Sequence, residues 1–458
     1  MILGSKEVNR VLAGLAEDSL QERELAERLV EEALLAGCVE AEAYLKTSVS
    51  SGISLGGRLT SFTGASERGI ALRVFDGEGS AGHAFSSSVD ARDHPEVIRA
   101  ALASLRAAGE RRHPQESPLP APRSSPGEVD PEGLVDPHVK EWSPERKRRI
   151  LGSVLEEVLR KGPGTATGSY RDGIARITLA TSRGFAGCYE RSLSMMNLAV
   201  TGENGPTIVS EWVARGPDPT AMMEMASGAA RLRPDGPDEM VPLEDFLLEA
   251  PAAIPLVRRL KRGLQEGSPG RDASEGEPNI LRVASEAVTV VDDGRLTGGV
   301  ATAPFDGEGT ATGQLTLVKA GVRIDRLHSR QRGEIGRPGI AVRASYRDLP
   351  CPGGTNLFIA PGRRSSREIL SGISRGYLLG VLQSEAREER VDGAASLWRG
   401  VGWVVRDGVP AGPCRRILFR AAPRDLLEGI LEVSDRLHFA FSGGVALGAP
   451  DLLIRLSR

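Results

Sequence analysis

Cysteine is scarce: the 458 residues hold four, Cys38, Cys188, Cys351 and Cys414, far apart and with no CxxC pair. That excludes a disulfide-stapled scaffold, and the expectation is buried or incidental thiols in a reducing compartment. Long apolar runs are missing as well, since no stretch approaches the roughly 20 residues that a membrane-crossing helix needs. The opening MILGSKEVNR has no apolar core of signal-peptide length, so a cytoplasmic protein away from the membrane is expected. Nor is there an excess of charge of one sign. With 58 basic and 61 acidic residues and a net charge of −3, nothing draws the chain to nucleic acid or anionic lipid. One basic run, Arg146, Lys147, Arg148 and Arg149, falls in a helical pattern and reads as a solvated face.

Several catalytic signatures are absent too. No GxxxxGK[ST] or complete GxGxxG stands between a strand and a helix, so Gly298-Gly299 and Gly353-Gly354 read as turns. Ser442-Gly443-Gly444 does not sit in a GxSxG pattern and has no His or Asp placed by sequence to complete a triad. None of the six histidines (His83, His94, His113, His138, His328, His438) has another within eight residues, so no local two-His ligand pair exists.

What is present is a globular pattern. Hydrophobic residues make up 40% and charged residues 26%, enough apolar surface to offset the entropy of ordering the chain. The length calls for two domains. Ser19 to Ala36 places Leu25, Leu29, Ala33 and Leu34 at helical spacing. Alternation then predicts strands at Glu40–Ser48, Ile53–Leu55, Leu59–Phe62 and Ile70–Val74, with a tight turn at Asp76-Gly77-Glu78-Gly79 leading to Gly82–Phe85. A helix follows over Pro95–Ala108. Glu110 to Lys140 holds seven prolines and reads as an extended loop. Ser143-Pro144 signals the start of another helix, with Leu151, Val154, Leu155 and Val158 as its stripe.

Strands are expected at Ile174–Thr181, Phe185–Glu190, Ser192–Thr201 and Thr207–Ala214, then a helix at Pro219–Arg231. Arg233 to Pro242 marks the boundary, giving an N-terminal α+β domain over 1–235 and a β-rich C-terminal domain over 236–458. In the second domain Phe246–Leu264 reads as partly helical and Glu266–Pro278 as a loop. Helices are also expected near Ser366–Arg375 and Pro423–Leu437, among short strands. Trp398 and Trp403, and Met222, Met223 and Met225, read as core.

Some segments carry a resemblance. Gly69 to Phe75 with Asp76-Gly77 and Gly82-His83-Ala84, then Val288 to Gly294, Pro304 to Gly309 and Leu317 to Val322, stand in an order that resembles the TldD/PmbA family. Arg343 to Pro350 (RASYRDLP), Thr355 to Gly362 (TNLFIAPG) and Val404 to Pro410 continue it, so that it covers the chain from about residue 22 onward. The resemblance implies an α+β N-terminal domain, a barrel-like C-terminal domain and dimers that enclose a chamber. It also implies a division of labour. TldD-like subunits carry zinc on an HExxxH helix with a further Cys ligand near the C-terminus; TldE/PmbA-like subunits lack these groups and complete the chamber. The pair degrades or trims unfolded and precursor peptides, and the family was earlier labelled a modulator of DNA gyrase.

Here the stretch matched to the zinc helix, Glu244 to Leu264, contains no histidine, and Phe441 to Leu447 contains no Cys. The resemblance therefore implies a TldE/PmbA-like subunit with no cofactor of its own and no catalytic residues. Zinc is expected in a TldD-like partner, with an unfolded or precursor peptide as substrate. A homodimeric binding protein for a peptide or biosynthetic intermediate is the alternative, and a zinc site converging from His328, His438 and Cys351 is a further one. Residues expected to line a chamber are Asp292, Asp293, Asp306, Glu308, Tyr346, Thr355 and Asn356; the four acids alternatively cap neighbouring turns.

Overall fold

The computed structural model describes residues 19–57, 59–77, 80–109, 119, 132–203, 207–234, 238–242, 244–265, 281–327, 337–384, 395–456. Most of the proline-rich segment, the loop at Glu266–Pro278, Glu78 and Gly79 of the hairpin turn, and His113 and His328 lie outside the described residues.

The N-terminal half contains α1 (Ser19–Leu35), β1 (Glu40–Gly56), β2 (Leu59–Phe75), β3 (Ala81–Ser86), α2 (His94–Gly109), a short α3 (His138–Glu141), α4 (Pro144–Arg160), β4 (Thr165–Thr181), β5 (Ala186–Thr201), β6 (Thr207–Ala214) and α5 (Pro219–Arg231). Its six strands form one antiparallel sheet in the order β3-β2-β1-β4-β5-β6. The four short strands expected between Glu40 and Val74 are two continuous strands of 17 residues each. Likewise the two expected between Phe185 and Thr201 are the single strand β5. Glycines next to the expected strand ends instead sit where backbones crowd: a Cβ on Gly173 of β4, just before the expected strand Ile174–Thr181, would lie 2.5 Å from the Val49 carbonyl oxygen of β1. Such positions favour Gly inside a strand rather than ending it.

Helices cover one face of this sheet. Leu29, Ala33, Val97 and Ile98 of α1 and α2 pack on Ala43, Leu45, Ile70 and Leu72. Glu22 of α1 is buried and accepts from Thr47 at 2.8 Å and Arg68 at 3.3 Å, tying the helix to β1 and β2. In α4 the Ser143 hydroxyl accepts from the Arg146 amide at 3.3 Å with Pro144 at the first turn, as expected of that pair. The basic run departs from the solvated-face expectation at one position. Lys147 is only 2% exposed, and its ammonium binds the buried Asp172 carboxylate and the Ser51 hydroxyl. It points into the sheet with the stripe of Leu151 and Val154, because i and i+4 share a helical face.

The C-terminal half contains β7 (Asp238–Met240), β8 (Asp245–Leu248), α6 (Ala250–Leu264), β9 (Leu281–Arg282), β10 (Val290–Asp293), β11 (Gln314–Lys319), β12 (Val322–Arg323), β13 (Ala341–Val342), β14 (Cys351–Pro352), β15 (Asn356–Ile359), α7 (Ser366–Ser371), β16 (Arg375–Ser384), β17 (Ser396–Arg406), β18 (Val409–Ala421), α8 (Pro423–Glu428), β19 (Ile430–Val433), β20 (His438–Ser442), β21 (Val445–Ala449) and β22 (Leu452–Arg455). Two seven-stranded sheets result, β20-β21-β15-β10-β11-β12-β9 and β19-β22-β8-β16-β17-β18-β7, with β13 and β14 as a separate pair. The described strands form open sheets and no closed barrel.

A single core joins both sheets: Leu256, Val257 and Leu260 of α6 pack with Val290 and Leu357 of one sheet and Phe246, Leu379 and Trp398 of the other. Trp398 is fully buried and donates to the Ala421 carbonyl at 3.0 Å. Met222 is buried in the N-terminal core, with Met223 and Met225 packed against it. The expected helix at Pro423–Leu437 stops at Glu428, where Gly429 caps it and Ile430–Val433 pairs with β22. Similarly α7 ends before Gly372, short of Arg375.

Candidate functional site: the cleft between the two halves

The second face of the N-terminal sheet is turned toward the C-terminal half. Alternation along β1 places Glu42, Tyr44 and Lys46 on this face. The register aligns Lys46 with Ile177 of β4 and Ile177 with Tyr189 of β5, with Arg191 two residues further on. Tyr44, Ile177 and Tyr189 join Ala303, Phe305 and Tyr346 of the second domain in one apolar cluster, with Tyr189 and Phe305 edge to face at 4.9 Å. Beside that cluster opens a cleft, whose other wall includes Asp306, Arg343, Thr355 and Gly444.

One buried ion cluster fastens the two walls. The Glu42 carboxylate takes Arg73 of β2 at 2.9 Å and, through its other oxygen, Arg343 of the second domain. Arg343 also donates to the Gly307 carbonyl at 2.9 Å and lies 4.6 Å over the Tyr44 ring, while Arg73 stands 3.5 Å from Glu308. Burial works against a charge on Glu42, but Arg343 and Arg73 outweigh it and hold this carboxyl below the usual range.

The seven residues expected to line a chamber fall in three places. Asp292, Asp293, Thr355 and Asn356 gather where β10 meets β15. Asp292 accepts the Thr355 amide at 2.6 Å and its hydroxyl at 3.0 Å, and Asn356 donates to the Asp293 carbonyl at 2.7 Å. Asp306 and Glu308 share a turn, in which Asp306 accepts the amides of Glu308, Thr310 and Ala341, each at 2.9 Å. Tyr346 is buried against β2. Of the seven, only Asp306 and Thr355 touch the cleft; Asp292 ties β10 to the start of β15, and Asp306 holds its own turn and the Ala341 amide. Tyr44, Lys46, Tyr189 and Arg191 were not singled out from the sequence; the alternation in β1 was their signal, but it does not say which face meets another domain.

Asp292 is fully buried, and burial pushes its carboxyl up to about 6 against the pull of the Thr355 bonds. Between about pH 4 and 6 the folded chain keeps a proton that the unfolded chain releases, so this group's contribution to stability falls as pH rises through that window and is flat above it. Compared with Asp292→Asn, which cannot titrate, the natural chain is expected to lose about 3 kcal/mol of relative stability between pH 4 and pH 7. Unfolding midpoints of the two proteins across that range test this, and parallel pH profiles would refute it.

A hydrolytic zinc ion needs neutral imidazoles, thiolates or carboxylates around an open position. Helix α6, the segment the resemblance equates with the zinc helix, instead carries Arg258, Arg259, Lys261 and Arg262. Arg259 is buried 4.6 Å over Trp398, and Arg258 and Lys261 are half-exposed one turn apart. Cations there repel a metal ion, so the residues present do not fit zinc in the family manner. Cys351 is exposed and His438 half-buried on the edge strand β20; no group of three potential ligands occurs among the described residues.

Residues 274–457 match the family model described as the PmbA/TldA metallopeptidase C-terminal domain. Over that C-terminal stretch the chain is similar to the TldD/PmbA family. A metalloprotease of Synechocystis is 29% identical over 165 residues, 33% of this chain and 35% of that protein. The metalloprotease TldD homolog of Buchnera aphidicola is 24% identical over 186 residues, 39% of this chain and 38% of that one. The chain thus spans little more than a third of the length of these relatives. Among solved structures, TldE from Thermococcus kodakarensis shares the fold over 94% of this chain and 99% of its own, with a TM-score of 0.77 at 19% identity. A candidate modulator of a DNA gyrase from Thermotoga maritima matches over 94% and 98%, with a TM-score of 0.72 at 16% identity. No described helix is long and apolar enough to cross a membrane.

Proposed function

We propose that this chain is a TldE/PmbA-like, non-catalytic subunit of the TldD/PmbA family that works beside a zinc-bearing TldD-like chain in the cytoplasm and holds an extended peptide for trimming or degradation. The observation that carries this reading is the cationic, histidine-free face of α6, which leaves that helix without the ligands and the general base that zinc hydrolysis requires. Extended peptides are held by backbone pairing with a sheet edge and by pockets for alternate side chains, and the domain seam supplies such a pocket.

The test is reconstitution. The purified chain alone should leave an unfolded polypeptide intact with or without added zinc, and cleavage should appear when a TldD-like chain is added, then vanish on chelation. Cleavage by this chain alone would overturn the reading. Stable self-association in the presence of the TldD-like chain would favour a homodimeric binding protein instead.

A further inference from the structure

Hydrogen-bonding capacity in the cleft is one-sided. Asp306 is the carboxylate in its wall, and both its oxygens are taken by backbone amides. The Arg343 guanidinium is spent on Glu42 and the Gly307 carbonyl. Four donors remain. The Lys46 ammonium gives one proton to the Ala344 carbonyl and has two to spare. Arg191, half-exposed, has no hydrogen bond or ion pair among the described residues. The hydroxyls of Tyr44 and Tyr189 also have no hydrogen-bond partner among the described residues, and neither is sealed away from solvent. Both residues line the cleft, so the pair presents it with donors open to an entering acceptor.

The charges point the same way. Burial, and after it the charge of Arg191, hold the Lys46 ammonium below the usual lysine range, with Glu67 and Asp348 opposing. Two cations thus share one opening, with Glu67 and Asp348 acting on Lys46 from outside the cleft lining, an arrangement that favours an entering anion. The apolar part of the wall, Ile177 and Phe305, suits the hydrocarbon of an amino-acid residue rather than a small inorganic ion.

We propose that the interdomain cleft is a carboxylate subsite, in which Lys46, Arg191 and the hydroxyls of Tyr44 and Tyr189 receive a peptide carboxylate while Ile177 and Phe305 receive the adjoining apolar group. The carboxylate comes from the chain end or from an acidic side chain. This deepens the peptide-holding reading and rests on it for the ligand being a peptide.

Calorimetric titration of the full chain tests it with three probes: N-acetylated trileucine as the free acid, the same peptide as its C-terminal amide, and amidated acetyl-leucyl-glutamyl-leucine. At least one carboxylate-bearing probe should bind roughly tenfold or more tightly than the neutral amide, as charge-assisted hydrogen bonds require. Preference for the free acid identifies the chain end, and preference for the glutamyl peptide identifies a side chain. Arg191→Gln should erase the preference, lowering affinity for the carboxylate probe by more than for the neutral amide, and Arg191→Lys should restore part of it. Equal binding of all three probes would overturn the subsite while leaving the peptide-holding reading standing. Binding of none would also overturn it, and the reconstitution with a TldD-like chain would then decide separately whether peptide is held elsewhere.

Discussion

Glu42→Gln is expected to destabilise the protein by about 3–5 kcal/mol, the usual cost of removing one member of a buried ion cluster. Arg73 and Arg343 are each almost wholly buried, and the Glu42 carboxylate faces both. The amide keeps the shape and one acceptor but cancels the negative charge, so two guanidiniums are left in a low-dielectric site with Glu308, 3.5 Å from Arg73, as the remaining carboxylate of the cluster. Because the cluster crosses from β1 and β2 to the second domain, the loss should fall on the seam, seen as a lower urea midpoint and faster hydrogen exchange in β1. Adding Arg343→Met should recover part of the loss, since it removes the cation that Glu42 alone neutralises among carboxylates; the two changes then fail to add. The pH dependence has a definite sign. The Glu42 carboxyl is lowered in the folded state, so its contribution is present above the ordinary glutamate value of about 4.3 and is lost as pH falls through the folded value. A loss under about 1 kcal/mol at pH 7 would mean that water reaches the cluster, as in exposed pairs.

The sequence made the fold class legible because hydrophobic period and turn residues are local signals. The helices α1, α2, α4 and α5 follow apolar stripes of period 3.6, and the Ser143-Pro144 start was readable to the residue. Strand lengths were not, because Gly52 and Gly173 read as breaks when taken alone and become close-packing positions only once their neighbours are known. Lys147 failed for a related reason: nothing beside it in the chain announces Asp172 across the sheet. The expected lining residues came from the resemblance, and the structure shows most of them satisfying turns and strand ends. The cleft is instead built by Tyr44, Lys46, Tyr189 and Arg191, whose meeting depends on strand register over more than a hundred residues. Such long-range pairing leaves no local trace.

Gly69→Ala should cost about 3 kcal/mol or more, from overpacking and the partial loss of a buried aromatic. A Cβ at Gly69 would fall 2.4 Å from two ring carbons of Tyr346, far inside van der Waals contact, so either β2 or the tyrosine has to move. Tyr346 is 1% exposed, meets Phe85 edge-on at 6.2 Å and accepts from Arg347 at 3.1 Å. In the β1–β2 register Gly69 stands directly beside Lys46, whose ammonium binds the carbonyl of Ala344, two residues before Tyr346. The glycine therefore does more than spare space: it seats the Tyr346 ring against β2. If that is its role, the cost should depend on the ring. In a Tyr346→Ala background, Gly69→Ala should cost less than about 1 kcal/mol, because the methyl then enters the vacated space, and the interaction energy from the four-protein cycle should approach the full cost of the single change. Equal costs in both backgrounds would show that Gly69 matters to β2 itself and that Tyr346 only lies nearby.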